Sequence, residues 1–173
     1  MSSEIKIFTD GAVPNNQNKG NRKGGVGVFF GINDPRNISF GIKETSIYKV
    51  TNQICELMAC IKAIETIIST EKIKKRTIVI YTDSMYIVNS ITVWAKVWEK
   101  NNWKKADGKN VLNIELIKSL YYLSKNLSVG YVHVKAHTTA PPVDSDDYFM
   151  WFGNHMADKL AVEGAKKLQL KYN

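Results

Sequence analysis

Only two of the 173 residues are cysteine, Cys55 and Cys60. Five apart within a helical pattern, they offer neither the spacing of a zinc site nor a disulfide framework, which points to a reducing, intracellular compartment. No apolar run approaches the ~18 residues of a membrane span, so no membrane partner is expected. The opening Met1-Ser2-Ser3-Glu4-Ile5-Lys6-Ile7-Phe8 lacks a basic-then-apolar leader, so neither a secretion nor a transit signal is expected. Acidic residues are in deficit, 16 Asp and Glu against 24 Lys and Arg, for a net charge of +8. That balance fits a polyanionic partner. The remainder is ordinary: 44% apolar and 23% charged residues exclude a disordered or fibrous chain. The length suits one domain at roughly 100–200 residues per domain.

Alternating Ile5, Ile7 and Thr9 read as a strand that closes at the turn Asp10-Gly11. Residues 14–25, with four Asn and three basic residues, read as a loop. Val26 to Phe30 and Ile38 to Ile42 form a hairpin across Asn33-Asp34-Pro35. From Thr51 the period lengthens. Ile54, Leu57, Met58, Ile61, Ile64 and Ile68 mark an amphipathic helix capped by Thr51 or Asn52. A strand over Thr77–Thr82 precedes a helix reaching about Trp98 and a basic, Trp-bearing loop to Lys109. Leu112, Leu116, Leu120 and Leu123 line another helix. Val129–Val134 is a strand, followed by an acidic loop to Tyr148 and a last helix from Gly153 to Leu168. The order β-β-β-α-β-α-α-β-α predicts an α/β fold with a mixed sheet.

Two strands end alike, Ile5-Lys6-Ile7-Phe8-Thr9-Asp10 and Ile78-Val79-Ile80-Tyr81-Thr82-Asp83. As parallel neighbours they would bring both terminal carboxylates to about 5 Å at one sheet edge. Adjacent carboxylates repel unless a cation lies between them, and a hard, oxygen-seeking ion such as Mg²⁺ or Mn²⁺ answers that need. Taken singly, Asp10 reads as a turn residue and Asp83 as a helix cap. Glu56, within a mostly apolar helix, strengthens the metal reading, although a helix N-terminus also welcomes an acid.

With these residues in place the chain resembles ribonuclease H of type 1. The resemblance is carried by Phe8-Thr9-Asp10-Gly11, Thr51-Asn52-Gln53-Ile54-Cys55-Glu56-Leu57-Met58-Ala59, Thr82-Asp83-Ser84 and Gly153-Asn154-His155-Met156-Ala157-Asp158-Lys159-Leu160-Ala161. Trp103-Lys104-Lys105-Ala106-Asp107-Gly108-Lys109 looks like the family's basic protrusion, and Val134-Lys135-Ala136-His137 like its histidine loop. The match runs from about Ile5 to Leu168.

The resemblance implies a single ribonuclease H-like domain over 1–173, with a core at about 5–168 and a basic protrusion at about 94–109. Its five-stranded mixed sheet would combine an antiparallel hairpin with parallel strands. It implies hydrolysis of the RNA strand of RNA–DNA hybrids by a monomer with two Mg²⁺ ions, Mn²⁺ being a possible substitute, and no small-molecule cofactor. The ends left would be 5′-phosphate and 3′-hydroxyl. Asp10 would bridge the ions, Glu56 and Asp83 would hold one, and Asp158 would complete the other. His137 would assist proton transfer or product departure. Read alone, His137 is a surface-loop residue. His133 reads as packing or solvated, and His155 stands where the family has no ligand.

Distinguishing RNA from DNA means reading 2′-hydroxyls, a task for neutral donors and acceptors. The resemblance assigns it to Asn15 or Asn16 and to Asn52 and Gln53. Thr51 and Asn113 would grip a DNA-strand phosphate, with Lys49 as a charged helper. Trp94, Trp98 and Trp103 alternate with lysines including Lys104 and Lys105, the composition of a nucleic-acid groove, though Trp94 and Trp98 at four-residue spacing also fit core packing. Gly24-Gly25-Val26-Gly27 leads into a strand and is no dinucleotide loop. Asp144, Asp146 and Asp147 read as a solvated loop, not a calcium site. His137 and Asp158 stand 21 residues apart, a long connection holding Pro141-Pro142 and several aromatics that suits a gate or a partner surface. Two alternatives stay open: a binding module without catalysis, and a DNA-processing nuclease of the same fold.

Overall fold

The computed structural model describes residues 3–14, 20–71 and 76–170. Five strands form one sheet: β1 (Glu4–Ala12), β2 (Lys23–Phe29), β3 (Ile38–Lys43), β4 (Thr77–Thr82) and β5 (Gly130–His133). Their order is β3-β2-β1-β4-β5. The β1–β2 and β2–β3 pairs are antiparallel, whereas β1–β4 and β4–β5 are parallel. The helices are α1 (Asn52–Thr70), α2 (Met85–Asn89), α3 (Ala95–Lys100), α4 (Ile114–Asn126) and α5 (Asp146–Leu170). The α/β class and the mixed sheet are as the sequence predicts. No helix among the described residues is long and apolar enough to cross a membrane.

The period-two alternation of β1 divides the core. Ile5 and Ile7 pack with Ala59, Ala63 and Ile67 of α1, whereas Phe8 faces the other way toward Ala157 of α5. Helix α5 lies unusually close to β2. A Cβ built on Gly25 would overlap the carbonyl of Ala161, and one on Gly27 would overlap that of Ala157. These glycines therefore serve close approach of a helix to a strand, not phosphate binding.

Several boundaries depart from the sequence reading. Lys23, Gly24 and Gly25 belong to β2 and not to the preceding loop, because the absent side chains let α1 and α5 approach both faces. Ile68 is 47% exposed while Ile67 is fully buried. Leu112 lies outside α4 and is 68% exposed, and the buried face of that helix is Ile117, Leu120, Tyr121 and Ser124. The single helix expected to Trp98 is α2, a π-helical turn over Ser90–Trp94, and α3.

The last helix begins at Asp146, seven residues before Gly153. Its first turns are held by rings. Phe149 meets Phe8 edge-on at 5.2 Å and Tyr81 at 5.9 Å, and Phe152 meets Phe29 at 5.9 Å. Asp146 and Asp147 stand in the first turn, where the helix dipole favours acids, and are not part of a loop. Gly153 lies within this helix and has no side chain because any Cβ there would overlap the Phe8 ring.

Candidate active site

Parallel pairing sets Phe8 of β1 opposite Tyr81 of β4. Continued by two residues, that register brings Asp10 and Asp83 side by side at the carboxyl end of the sheet. Helix α1 starts at the same edge. Thr51 caps it by accepting a hydrogen bond from the amide of Ile54 at 3.2 Å. One turn on, Glu56 projects toward the two aspartates. It lies beyond the first turn, so a favourable helix end does not explain it. Asp10, Glu56 and Asp83 each offer a carboxylate oxygen within 4.8 Å of the others. Asp158, from the middle of α5, joins all three in the wall of a cavity of about 290 Å³.

The electrostatics of this cluster are strained. Asp10 is buried, and burial together with the charges of Asp83 and Asp158 pushes its carboxyl up to about 9. A side-chain hydrogen bond with Asp158 and the charge of Glu56 act in the same direction. Burial raises Glu56 to about 7, against a hydrogen bond from Ser84 that favours its charged form. Asp83 is raised by burial, opposed by a hydrogen bond from Asn154. Among the described residues no Lys or Arg pairs with any of the four acids.

Such a set fits a hard divalent cation: all four groups are carboxylates, and among the described residues no Lys or Arg neutralises them. A second sign is Asn154. Its amide nitrogen donates to Asp83 at 3.4 Å while its buried carbonyl oxygen has no partner among the described residues. Ser84 and Asn154 were not singled out by sequence reasoning. Their signal lies in their neighbours, since Ser84 follows an acid and caps α2, and Asn154 stands one turn before Asp158.

Without metal, the raised carboxyls set the pH dependence of stability. Between the unfolded value near 4 and the folded values, the native state binds more protons than the unfolded chain, so stability falls as pH rises. One such proton is worth ~1.4 kcal/mol per pH unit, or ~3 °C for a chain of this size. In EDTA the melting temperature should drop by about 10–15 °C between pH 5.5 and 8.5. Mg²⁺ should restore most of it at the upper end. A melting temperature that rises with pH in EDTA would contradict the assignment.

The other predicted residues fall in several places. His137 is exposed, holds a left-handed backbone at φ 49°, and lines the cavity with Asp83 and Asp158. Exposed His133 ends β5, and His155 stacks on Trp151 with centroids 5.1 Å apart. Asn52 accepts from the Val13 amide at 2.8 Å, and Gln53 is half-buried beside it. Asn113, also left-handed, donates to the Tyr86 hydroxyl at 3.3 Å. Lys49 is exposed. Asn15 and Asn16 lie outside the described residues.

The protrusion divides. Trp94 is exposed and its ring lies 5.9 Å from half-buried Trp98. Lys104 and Lys105 project from a turn in which the Lys104 ammonium donates to Asn110 at 2.6 Å. Trp103 departs from the groove reading. It is 8% exposed and packs edge-on against Tyr121 at 5.8 Å and Tyr122 at 6.0 Å, so its ring serves the core beneath the protrusion. Alternation with lysine did not reveal this, because the left-handed backbone at Asn102 and Trp103 reverses the side chain's direction.

The chain is similar to known proteins over most of its length. The RNase H family model matches residues 2–166. The chain is 36% identical over 167 residues to ribonuclease H1 of Homo sapiens, covering 96% of this chain and 52% of that relative. It thus spans about half the length of the mammalian proteins it matches. It is 38% identical to ribonuclease H of Wigglesworthia glossinidia brevipalpis over 86% of each chain. With that of Dichelobacter nodosus it shares 34% identity over 96% of this chain and 95% of the relative. In fold it is similar to LC9-RNase H1, a type 1 RNase H with the type 2 active-site motif. There the TM-score is 0.70 at 23% identity, covering 96% of this chain and 74% of the other. The acids at one sheet edge, the strand order and the family match over nearly the whole length agree: the chain belongs to the RNase H family.

Proposed function

We propose that residues 1–173 work as one catalytic domain that cuts the RNA strand of RNA–DNA hybrids, leaving 5′-phosphate and 3′-hydroxyl ends. The meeting of Asp10, Glu56 and Asp83 at one cavity with Asp158 carries this reading. Asp10 would be shared by two divalent ions, Glu56 and Asp83 would hold one, and Asp158 would hold the other. When bound, Mg²⁺ or Mn²⁺ lowers the pKa of water and offsets charge on the departing 3′-oxygen. Ser84 and Asn154 orient Glu56 and Asp83 through their hydrogen bonds. His137, exposed at the cavity rim, accepts or returns a proton and eases product departure.

Asn52 and Gln53 sit beside Glu56, where the scissile strand must lie. With its carbonyl taken by Val13, Asn52 keeps its amide hydrogens to donate to a 2′-hydroxyl. Asn15 and Asn16 are assigned to the same groove from the sequence. Thr51, Asn113 and Lys49 hold a phosphate of the DNA strand, and Trp94 and Trp98 pack on its sugars while Lys104 and Lys105 neutralise it. Hybrid affinity should accordingly fall with salt, with a logarithmic slope of roughly 2.5 for phosphate contacts from Lys49, Lys104 and Lys105. Lys104→Ala with Lys105→Ala should reduce that slope by about two-thirds. A flat salt response removes the protrusion from the binding surface.

Cleavage of a labelled hybrid, with and without EDTA, tests the activity directly. Parallel assays on duplex DNA and duplex RNA separate this reading from a DNA-processing nuclease. Hybrid binding without cleavage in Mg²⁺ or Mn²⁺ would leave a silent binding module.

A further inference from the structure

The aromatic start of α5 has no part in holding metal, yet it touches the His137 loop. We propose that Trp151 is a positioning residue that latches this loop to α5 and so holds His137 beside Asp83 and Asp158. This rests on the nuclease reading above.

The loop has little else to hold it. Val134 is tied to the sheet through the Thr82 carbonyl at 2.8 Å, and Pro142 accepts from Ser145 at 2.9 Å. Between them, residues 135 and 137–140 are exposed. Among the described residues, one hydrogen bond reaches this stretch from another element: the Trp151 indole N–H donates to the Thr138 carbonyl at 3.0 Å. Thr138 directly follows His137, whose left-handed backbone (φ 49°) is unfavourable for a residue with a Cβ and needs outside restraint. On its outer side the loop adjoins a cavity of about 310 Å³ lined by Pro141, Met150 and Trp151, so close packing does not confine it.

The latch has a rigid base. Phe149 and Phe152 flank Trp151 in sequence and are both seated on rings of the sheet, Phe8 and Phe29. The indole lies parallel to the His155 ring, 9° between planes, and Tyr148 tilts against it at 5.6 Å. A side chain held against two rings aims one donor at the residue next to His137. Its own ring also lines a small cavity with Asp83, His137, Asn154 and Asp158. The register between the histidine and the acids is thereby set from α5, the helix that also bears Asp158.

Trp151→Phe keeps an aromatic ring and removes the donor. At saturating hybrid it should lower kcat by about 3- to 10-fold, the worth of one neutral hydrogen bond, with KM unchanged. His137→Ala should lower kcat by more, and adding Trp151→Phe to it should lower kcat no further, because the latch acts through that histidine. Limited trypsin digestion supplies a readout independent of cleavage. The Lys135–Ala136 bond should be cut about 3- to 10-fold faster in Trp151→Phe, since the rate follows the open population of the loop. Parental kcat, a multiplicative double mutant, or an unchanged trypsin rate would each overturn the latch. A parent that cleaves no hybrid sinks the nuclease reading instead, and the trypsin rate still decides whether Trp151 holds the loop.

Discussion

Asp10→Asn should abolish hybrid cleavage, by at least ~10³-fold in kcat, while hybrid affinity in EDTA stays within about threefold of the parent. The two expectations follow from one geometry. Asp10 interacts with Glu56, Asp83 and Asp158 alike and lines their shared cavity, so on the proposed mechanism its removal strikes the ligand common to both ions. Without metal, burial and neighbouring charge lift its carboxyl to about 9, so near neutral pH the side chain carries a proton. Asparagine is nearly isosteric with that neutral form and disturbs little of the metal-free fold. The substitution should also flatten the fall of melting temperature with pH in EDTA, because the group that takes up the proton is gone. Single-turnover cleavage, hybrid titration and thermal melts measure the three effects. Cleavage within a few-fold of the parent would refute the metal assignment.

Gly25→Ala should lower the stability of the chain by at least ~3 kcal/mol, and Gly27→Ala should do nearly as much. At both positions a Cβ would overlap a backbone carbonyl of α5, that of Ala161 or Ala157, which a rotamer change cannot move aside. The helix must therefore lift from β2, and the burial of Ala157, Ala161 and Ala165 is lost with it. Because α5 also bears Asn154 and Asp158, any folded remainder should have lost cleavage out of proportion to its folded fraction. Gly31→Ala is the control. The nearest atom to its Cβ would be that of Asp34 at 3.9 Å, and its stability should stay within ~0.5 kcal/mol of the parent. Urea unfolding of the three variants decides the matter. A parental midpoint for Gly25→Ala would show that α5 does not approach β2 so closely.

Local pattern alone was enough for much of this protein. Alternation in Ile5–Thr9, the matching ends Thr9-Asp10 and Thr82-Asp83, and the three-and-four spacing after Thr51 depend on short-range backbone periodicity. They sufficed for the α/β class, for the strand ends that bring Asp10 and Asp83 together, and for the helix that supplies Glu56. Tertiary packing decided what periodicity does not encode. Gly24 and Gly25 read as a loop until two helices close on a strand that has no side chains there. Trp103 reads as a surface aromatic until a left-handed backbone at Asn102 and Trp103 turns it onto Tyr121. The segment from Asp146 to Tyr148 reads as a loop until Phe149 and Phe152 find rings on the sheet. The same seating aims Trp151 at Thr138. Periodicity follows from the chain's own geometry, whereas these placements depend on the surface that the rest of the fold presents to each residue.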